Sequence, residues 1–177
     1  MASRVAAVAV LGGTVPSVGP GAVAGTVADV ARRFAVLVSE LRRPLALMAT
    51  GLLSPLVPFG HNAMQAYSKM SPPGNRVAVS NTEIEGMFID DILQRMRGGF
   101  QAFIDDARMF GHDWGFQLAD VKLPVRWWHG DADAIVSLPA AEDARPPDTE
   151  LLLLPGKSHL EAFTQVDEVL EAIRQLL

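Results

Sequence analysis

The sequence predicts an α/β protein: a short parallel sheet of about three strands with an inserted helical cap. Three observations point there. Residues 4–11, 121–129 and 151–154 are apolar runs with little polar alternation, as in strands covered on both faces of a parallel sheet. Residues 16–116, between the first two runs, change to helical periodicity. The runs also stop abruptly at glycine or proline–glycine, and two of them present an acid or a histidine just beyond the stop.

In order along the chain, Arg4 leads into the first apolar run, and Gly12-Gly13 ends it. The same N-terminal residues could be taken for a signal peptide, with one positive charge and an apolar stretch. Gly12-Gly13 and the prolines at 16 and 20 favour a buried strand. Over 27–41, Val27, Val30, Phe34, Leu37, Val38 and Leu41 recur at helical spacing, and Pro44 punctuates the pattern. Residues 45–53 form a short apolar helix bounded by Gly51 and Pro55. Residues 55–75 are broken by prolines and glycines and predict loop with a short turn. Ser80-Asn-Thr-Glu83 has capping-box spacing and opens a helix to about Arg97. Gly98-Gly99 closes it, and the pattern resumes over 100–110. After the strand at 121–129, only a brief helix fits at 139–145 before Pro146-Pro147. The last strand is 151–154, and 166–177 is an amphipathic closing helix.

Composition narrows the function classes. The chain has 177 residues, suiting one domain or a small core with a lid, and its 49% hydrophobic content suffices for a core. A net charge of −5 without a basic stripe argues against nucleic acid or a membrane surface as a general partner. No stretch approaches a membrane span. Cysteine is absent, so there is no disulfide framework and no thiolate site, which suits a cytoplasmic protein. The four histidines show no metal-ligand spacing, and Gly12 to Gly21 is no phosphate loop, so neither metal nor cofactor is expected.

The chemistry concentrates in Leu123-Pro-Val-Arg-Trp-Trp-His-Gly-Asp-Ala-Asp133 and Leu151-Leu-Leu-Leu-Pro-Gly-Lys-Ser-His159. An acid and a histidine at the carboxyl ends of neighbouring strands lie where an open α/β sheet places its site. Taken singly, Asp133 could be a turn aspartate and His159 an exposed loop histidine; the pairing of two strand-end placements favours a joint role. Asp131 is expected to cap the turn or the following helix. His129 is expected to pack or hydrogen-bond, and His61 and His112 carry no assigned role. Trp127 and Trp128, adjacent on a strand, must point to opposite faces. The acidic pairs Asp90-Asp91 and Asp105-Asp106 predict solvated helix faces.

These two stretches resemble the closing third of an α/β-hydrolase, in which strand-H-G-x-x-D carries the triad acid and strand-P-G-x-x-H the triad histidine. The resemblance implies a partial α/β-hydrolase fold. Residues 1–17 would hold core strand six, 18–117 the helical cap, and 118–177 core strands seven and eight with the closing helix. The segments Ser71-Pro-Pro-Gly74 through Asp113-Trp-Gly-Phe116 are similar to caps of that kind. It implies Asp133 as catalytic acid and His159 as catalytic base, acting on a small hydrophobic ester-like substrate. No G-x-S-x-G occurs in the sequence, and no serine, Ser17, Ser54, Ser137 and Ser158 included, fits a nucleophile elbow. The expectation is therefore a truncated hydrolase-family chain without its own nucleophile, inactive alone. The alternative is a non-catalytic binder of a hydrophobic ligand or a partner, possibly completed by a separate N-terminal half. Strand six would then have a bare apolar edge over residues 5–10, and self-association through it is expected.

Overall fold

The computed structural model describes residues 5–24, 40–59, 62, 82–96 and 99–176. Residues 27–39 of the first expected helix, His61, Ser71 to Gly74, the Ser80-Asn81 cap, Arg97 and Gly98 lie outside the described residues.

Three parallel strands form one sheet in the order β1 (Val8–Leu11), β2 (Val125–Gly130), β3 (Thr149–Leu154). Val8 lies opposite Val125 and Leu11 opposite Trp128; Val125 lies opposite Thr149 and Gly130 opposite Leu154. The fold is thus of mixed α/β class. Both outer strands are shorter or shifted relative to their apolar runs. β1 spans four residues rather than eight, because its partner strand begins at Val125. Upstream of that point Pro124 has no N–H to offer and only accepts, from Val8 N at 3.0 Å. β2 starts at Val125 rather than at Val121; ahead of it Leu118–Asp120 form a 3₁₀ turn, closed by Val121 N donating to Leu118 O at 3.1 Å. β3 extends two residues before its apolar run, to Thr149, and Glu150 there pairs with Arg126 at 2.8 Å.

The alternation of β2 sorts its side chains onto two faces. Val125 and Trp127 pack with Val136, Ala140, Ala141 and Ala144, beneath α4 (Leu138–Ala144). Trp128 packs on the other face with Val169 and Ala172 of α5 (Val166–Leu176). Both tryptophans are buried, at 2% and 1% exposure, so each anchors a separate half of the core. Trp128 Nε1 donates to Glu168 at 3.1 Å, while Trp127 Nε1 has no partner. A 3₁₀ segment, Leu160–Gln165, leads into α5.

The described helical layer comprises α1 (Arg42–Leu53), α2 (Thr82–Met96) and α3 (Gln101–Phe110), with a 3₁₀ segment at Ser54–Phe59. Pro44 falls in the first turn of α1, where its missing N–H costs nothing. Thr50 fastens α1 to the start of α3: its hydroxyl donates to Ala46 O at 2.7 Å and accepts from Phe100 N at 3.0 Å. Gly99 makes that approach possible, having a φ of +82° and no side chain to meet the Thr50 hydroxyl. The layer is tied to the sheet by Ser17, on the loop after β1, whose hydroxyl donates to Phe110 O at 2.9 Å. No described helix is long and apolar enough to cross a membrane.

Candidate functional site

Gly130 ends β2 against the loop that follows β3. Its φ is not positive; the reason for glycine is proximity. A Cβ there would overlap the Lys157 carbonyl, whose carbon would lie 2.7 Å away. With that side chain absent, the two loops pair directly, and Ala132 N donates to Lys157 O at 3.0 Å. Asp131 fastens them from the other side, its Oδ1 accepting from Gly156 N at 2.6 Å. Asp131 is therefore a turn cap, although the turn it caps belongs to the neighbouring strand. Gly156 has a φ of +70°, which lets the chain reverse after Pro155 and deliver His159 to the same edge.

The structure brings Asp133 and His159 together: Nδ1 of His159 lies 2.8 Å from Oδ2 of Asp133. A carboxylate only accepts, so Nδ1 carries the proton and donates. The other carboxylate oxygen accepts from Ile135 N at 2.7 Å and Val136 N at 3.0 Å. The Asp133 side chain is fully buried, and that of His159 is 18% exposed. Burial by itself would raise the Asp133 pKa. The His159 hydrogen bond, the Val136 and Ile135 amides and the His159 charge outweigh it and hold the carboxyl below its ordinary 3.8. The group is ionised, oriented by three donors, and out of reach of bulk water. With Nδ1 committed to Asp133, Nε2 is the nitrogen of His159 left for proton transfer.

Around the pair stand three further groups, of which Glu161 is the one that the sequence did not single out. Gly12, at the end of β1 with a φ of +54°, faces His159: a Cβ there would lie 3.5 Å from the imidazole Cε1. Glu161 is buried and accepts from Ser158 N at 3.0 Å and Lys157 Nζ at 3.3 Å, fixing the turn that carries His159. A glutamate two residues after the histidine was the available signal, but its burial depends on the fold. His129 is wholly buried, with Nε2 3.1 Å from Val136 O. Burial lowers its pKa from 6.5 against the opposing pull of Asp133.

Among the described residues, the His159 ring hydrogen-bonds Asp133 alone. Among the described residues no serine hydroxyl joins it: Ser17 donates to Phe110 O, and the Ser158 hydroxyl is buried without a partner. No group of three or more histidines and acids is placed to hold a metal among these residues.

A cavity of ≈ 690 Å³ lies between the helical layer and the loop after β1. Met109, Phe110, Trp114 and Phe116 give it apolar walls, Arg108, Asp105 and Asp113 contribute charge of both signs, and Thr14 lies two residues beyond Gly12. Trp114 and Phe116 stack at a tilt, with ring centroids 5.9 Å apart. His112 also lines it, with Nδ1 2.6 Å from Arg108 O. Asp133 and His159 are not among the described lining residues.

No protein-family model matches the chain, and no curated protein gives a significant match.

Proposed function

We propose that residues 1–177 carry the acid and base of an α/β-hydrolase-type site, in which Asp133 and His159 serve a hydroxyl nucleophile that this sequence does not supply in an elbow. The observation that carries the reading is the 2.8 Å bond between His159 Nδ1 and Asp133 Oδ2 at the carboxyl ends of adjacent parallel strands. In this chemistry His159 Nε2 takes the proton of a hydroxyl as its oxygen attacks an ester or amide carbonyl, then returns it to the leaving group. Asp133 keeps its negative charge, holds the imidazole in the Nδ1–H form and stabilises the imidazolium. Its buried, triply bonded carboxylate suits that task. A small hydrophobic ester or amide is the substrate class.

The lack of G-x-S-x-G in the sequence leads to the test. An acid and a base alone form no acyl-enzyme. Purified chain is expected to hydrolyse p-nitrophenyl esters no faster than buffer. Turnover that vanishes in His159→Ala would overturn the statement about the nucleophile. Translating the DNA ahead of the Met1 codon in every frame is the companion experiment, and a G-x-S-x-G elbow there would support the hydrolase reading.

The cavity favours a second reading, in which the chain binds a hydrophobic ligand without catalysis. Its ≈ 690 Å³ falls within the range of small-molecule pockets. Stoichiometric binding of an apolar fluorescent probe, lost in Trp114→Ala, would support that reading. Self-association belongs to either proposal. β1 lies at one edge of the three-strand order, and Val5 just ahead of it is 46% exposed. A bare apolar edge pairs readily with another strand. A stable monomer in size-exclusion chromatography would count against it.

A further inference from the structure

Val136 is gripped from two sides. Its N–H donates to Asp133 Oδ1 at 3.0 Å, and its carbonyl lies 3.1 Å from His129 Nε2. A carbonyl can only accept, so His129 Nε2 carries a proton and donates it. The other ring nitrogen, Nδ1, is buried with no hydrogen-bond partner. A second proton there would have no acceptor, which keeps the ring neutral. His129 has no exposed surface and meets Trp127 edge-on, with ring centroids 6.0 Å apart. Its Nε2 is 3.9 Å from Asp133 Oδ2, near the carboxylate but beyond hydrogen-bond reach.

We infer that His129 is a positioning residue for the Asp133–His159 pair: through the Val136 carbonyl it fixes the 133–136 turn, so that Asp133 Oδ1 is held by backbone amides and Oδ2 is left for His159. The ring acts through Val136 and touches no reacting atom. Two properties suit it to this task. It supplies one donor, in the direction of the turn. It adds no positive charge beside Asp133, so the carboxylate meets its charge partner in His159 alone. The inference assigns His129 a part in the proposed acid–base site and rests on that reading for its functional meaning. Its geometry is testable without any nucleophile or turnover.

The test compares His129→Gln with His129→Asn in the full chain. Glutamine places an amide N–H about where Nε2 stood; asparagine reaches only the Nδ1 position. Long-range proton–nitrogen NMR of the imidazoles reads the tautomers, and the downfield Nδ1–H signal of His159 reads the bond to Asp133. The expected result is a His129 protonated at Nε2 and bare at Nδ1. His129→Asn should speed exchange of the His159 Nδ1 proton with water about tenfold, the equivalent of one lost hydrogen bond, while His129→Gln leaves it near the unaltered rate. A residue that merely filled space would give the same exchange rate in both variants, and that result overturns the inference. So does a His129 carrying its proton on Nδ1, or a His129→Gln chain that loses the His159 signal. Should His129→Asn fail to fold, the last two measurements still decide. Failure of the hydrolase reading would appear instead as an upstream sequence without an elbow, with these NMR results unaffected.

Discussion

The carboxyl end of the sheet and the outer face of α1 use their residues in opposite ways. Between Gly130 and Glu161, the buried acids are tied to defined donors: Asp133 to two amides and His159, Glu161 to an amide and Lys157. On α1 the small residues Ala46 and Thr50 face α3, while Leu47, Met48 and Leu52 stand 74%, 63% and 71% exposed. One region holds buried polar groups in a single geometry; the other leaves large apolar groups unburied. The difference shows where stability resides. A side chain contributes by what it loses on exposure, and α1's outer residues have little left to lose.

Four substitutions probe that contrast. The largest effect is expected from Trp128→Ala, which empties the core beneath α5 and should cost about 3–5 kcal/mol in urea denaturation. A loss below 1 kcal/mol would mean that this face of the sheet is not a packed core. Next is Asp133→Ala, which strands the Ile135 and Val136 amides and the His159 proton, at about 2–4 kcal/mol. Gly130→Ala follows: its Cβ must displace the Lys157 carbonyl, and overpacking of this kind costs about 1–3 kcal/mol. The smallest effect is expected at the opposite pole, where Leu52→Ser should lie within about 0.5 kcal/mol of the unaltered chain. A larger loss there would show that α1's outer face is covered in solution and would erase the contrast.

Acid should expose the same division. His129 has a folded pKa below 6.5, so the unfolded chain binds its proton first, and the stability held by the neutral ring declines as pH falls below 6.5. Asp133 also has a depressed pKa; its contribution is complete above 3.8 and is lost as pH falls through the lower folded value. Denaturation midpoints measured from pH 8 to pH 3 should therefore fall in two stages. His129→Gln should remove the upper stage and leave the lower one. A profile unchanged by that substitution would contradict a buried neutral His129.

Much of the sheet was legible in its punctuation. Gly12, Gly130 and Pro155-Gly156 mark the strand ends, and the brief helix before Pro146-Pro147 lies within one residue of its expected place. The strand starts were less legible. The apolar run at 121–129 starts four residues before the ladder, which opens only after Pro124, and hydrophobicity does not distinguish residues that join a ladder from those that only pack beside it. Of the two acids after Gly130, the resemblance implies Asp133 for the histidine, and Asp131 is expected at the turn or the following helix; the structure bonds Asp133 to His159 and Asp131 to the Gly156 amide of the neighbouring loop.

The sequence by itself determined which residues could meet: two apolar strands, each ending in a break, with an acid past one and a histidine past the other. Alternation along β2 also settled that Trp127 and Trp128 serve opposite faces. Only the tertiary structure decided that Asp133 accepts a hydrogen bond from His159, that Gly130 is needed for a passing carbonyl, and that His129 Nε2 meets the Val136 carbonyl. The physical reason is range. Strand breaks and alternation follow from local sterics and period, whereas a 2.8 Å bond between residues 133 and 159 depends on the parallel register that aligns Gly130 with Leu154.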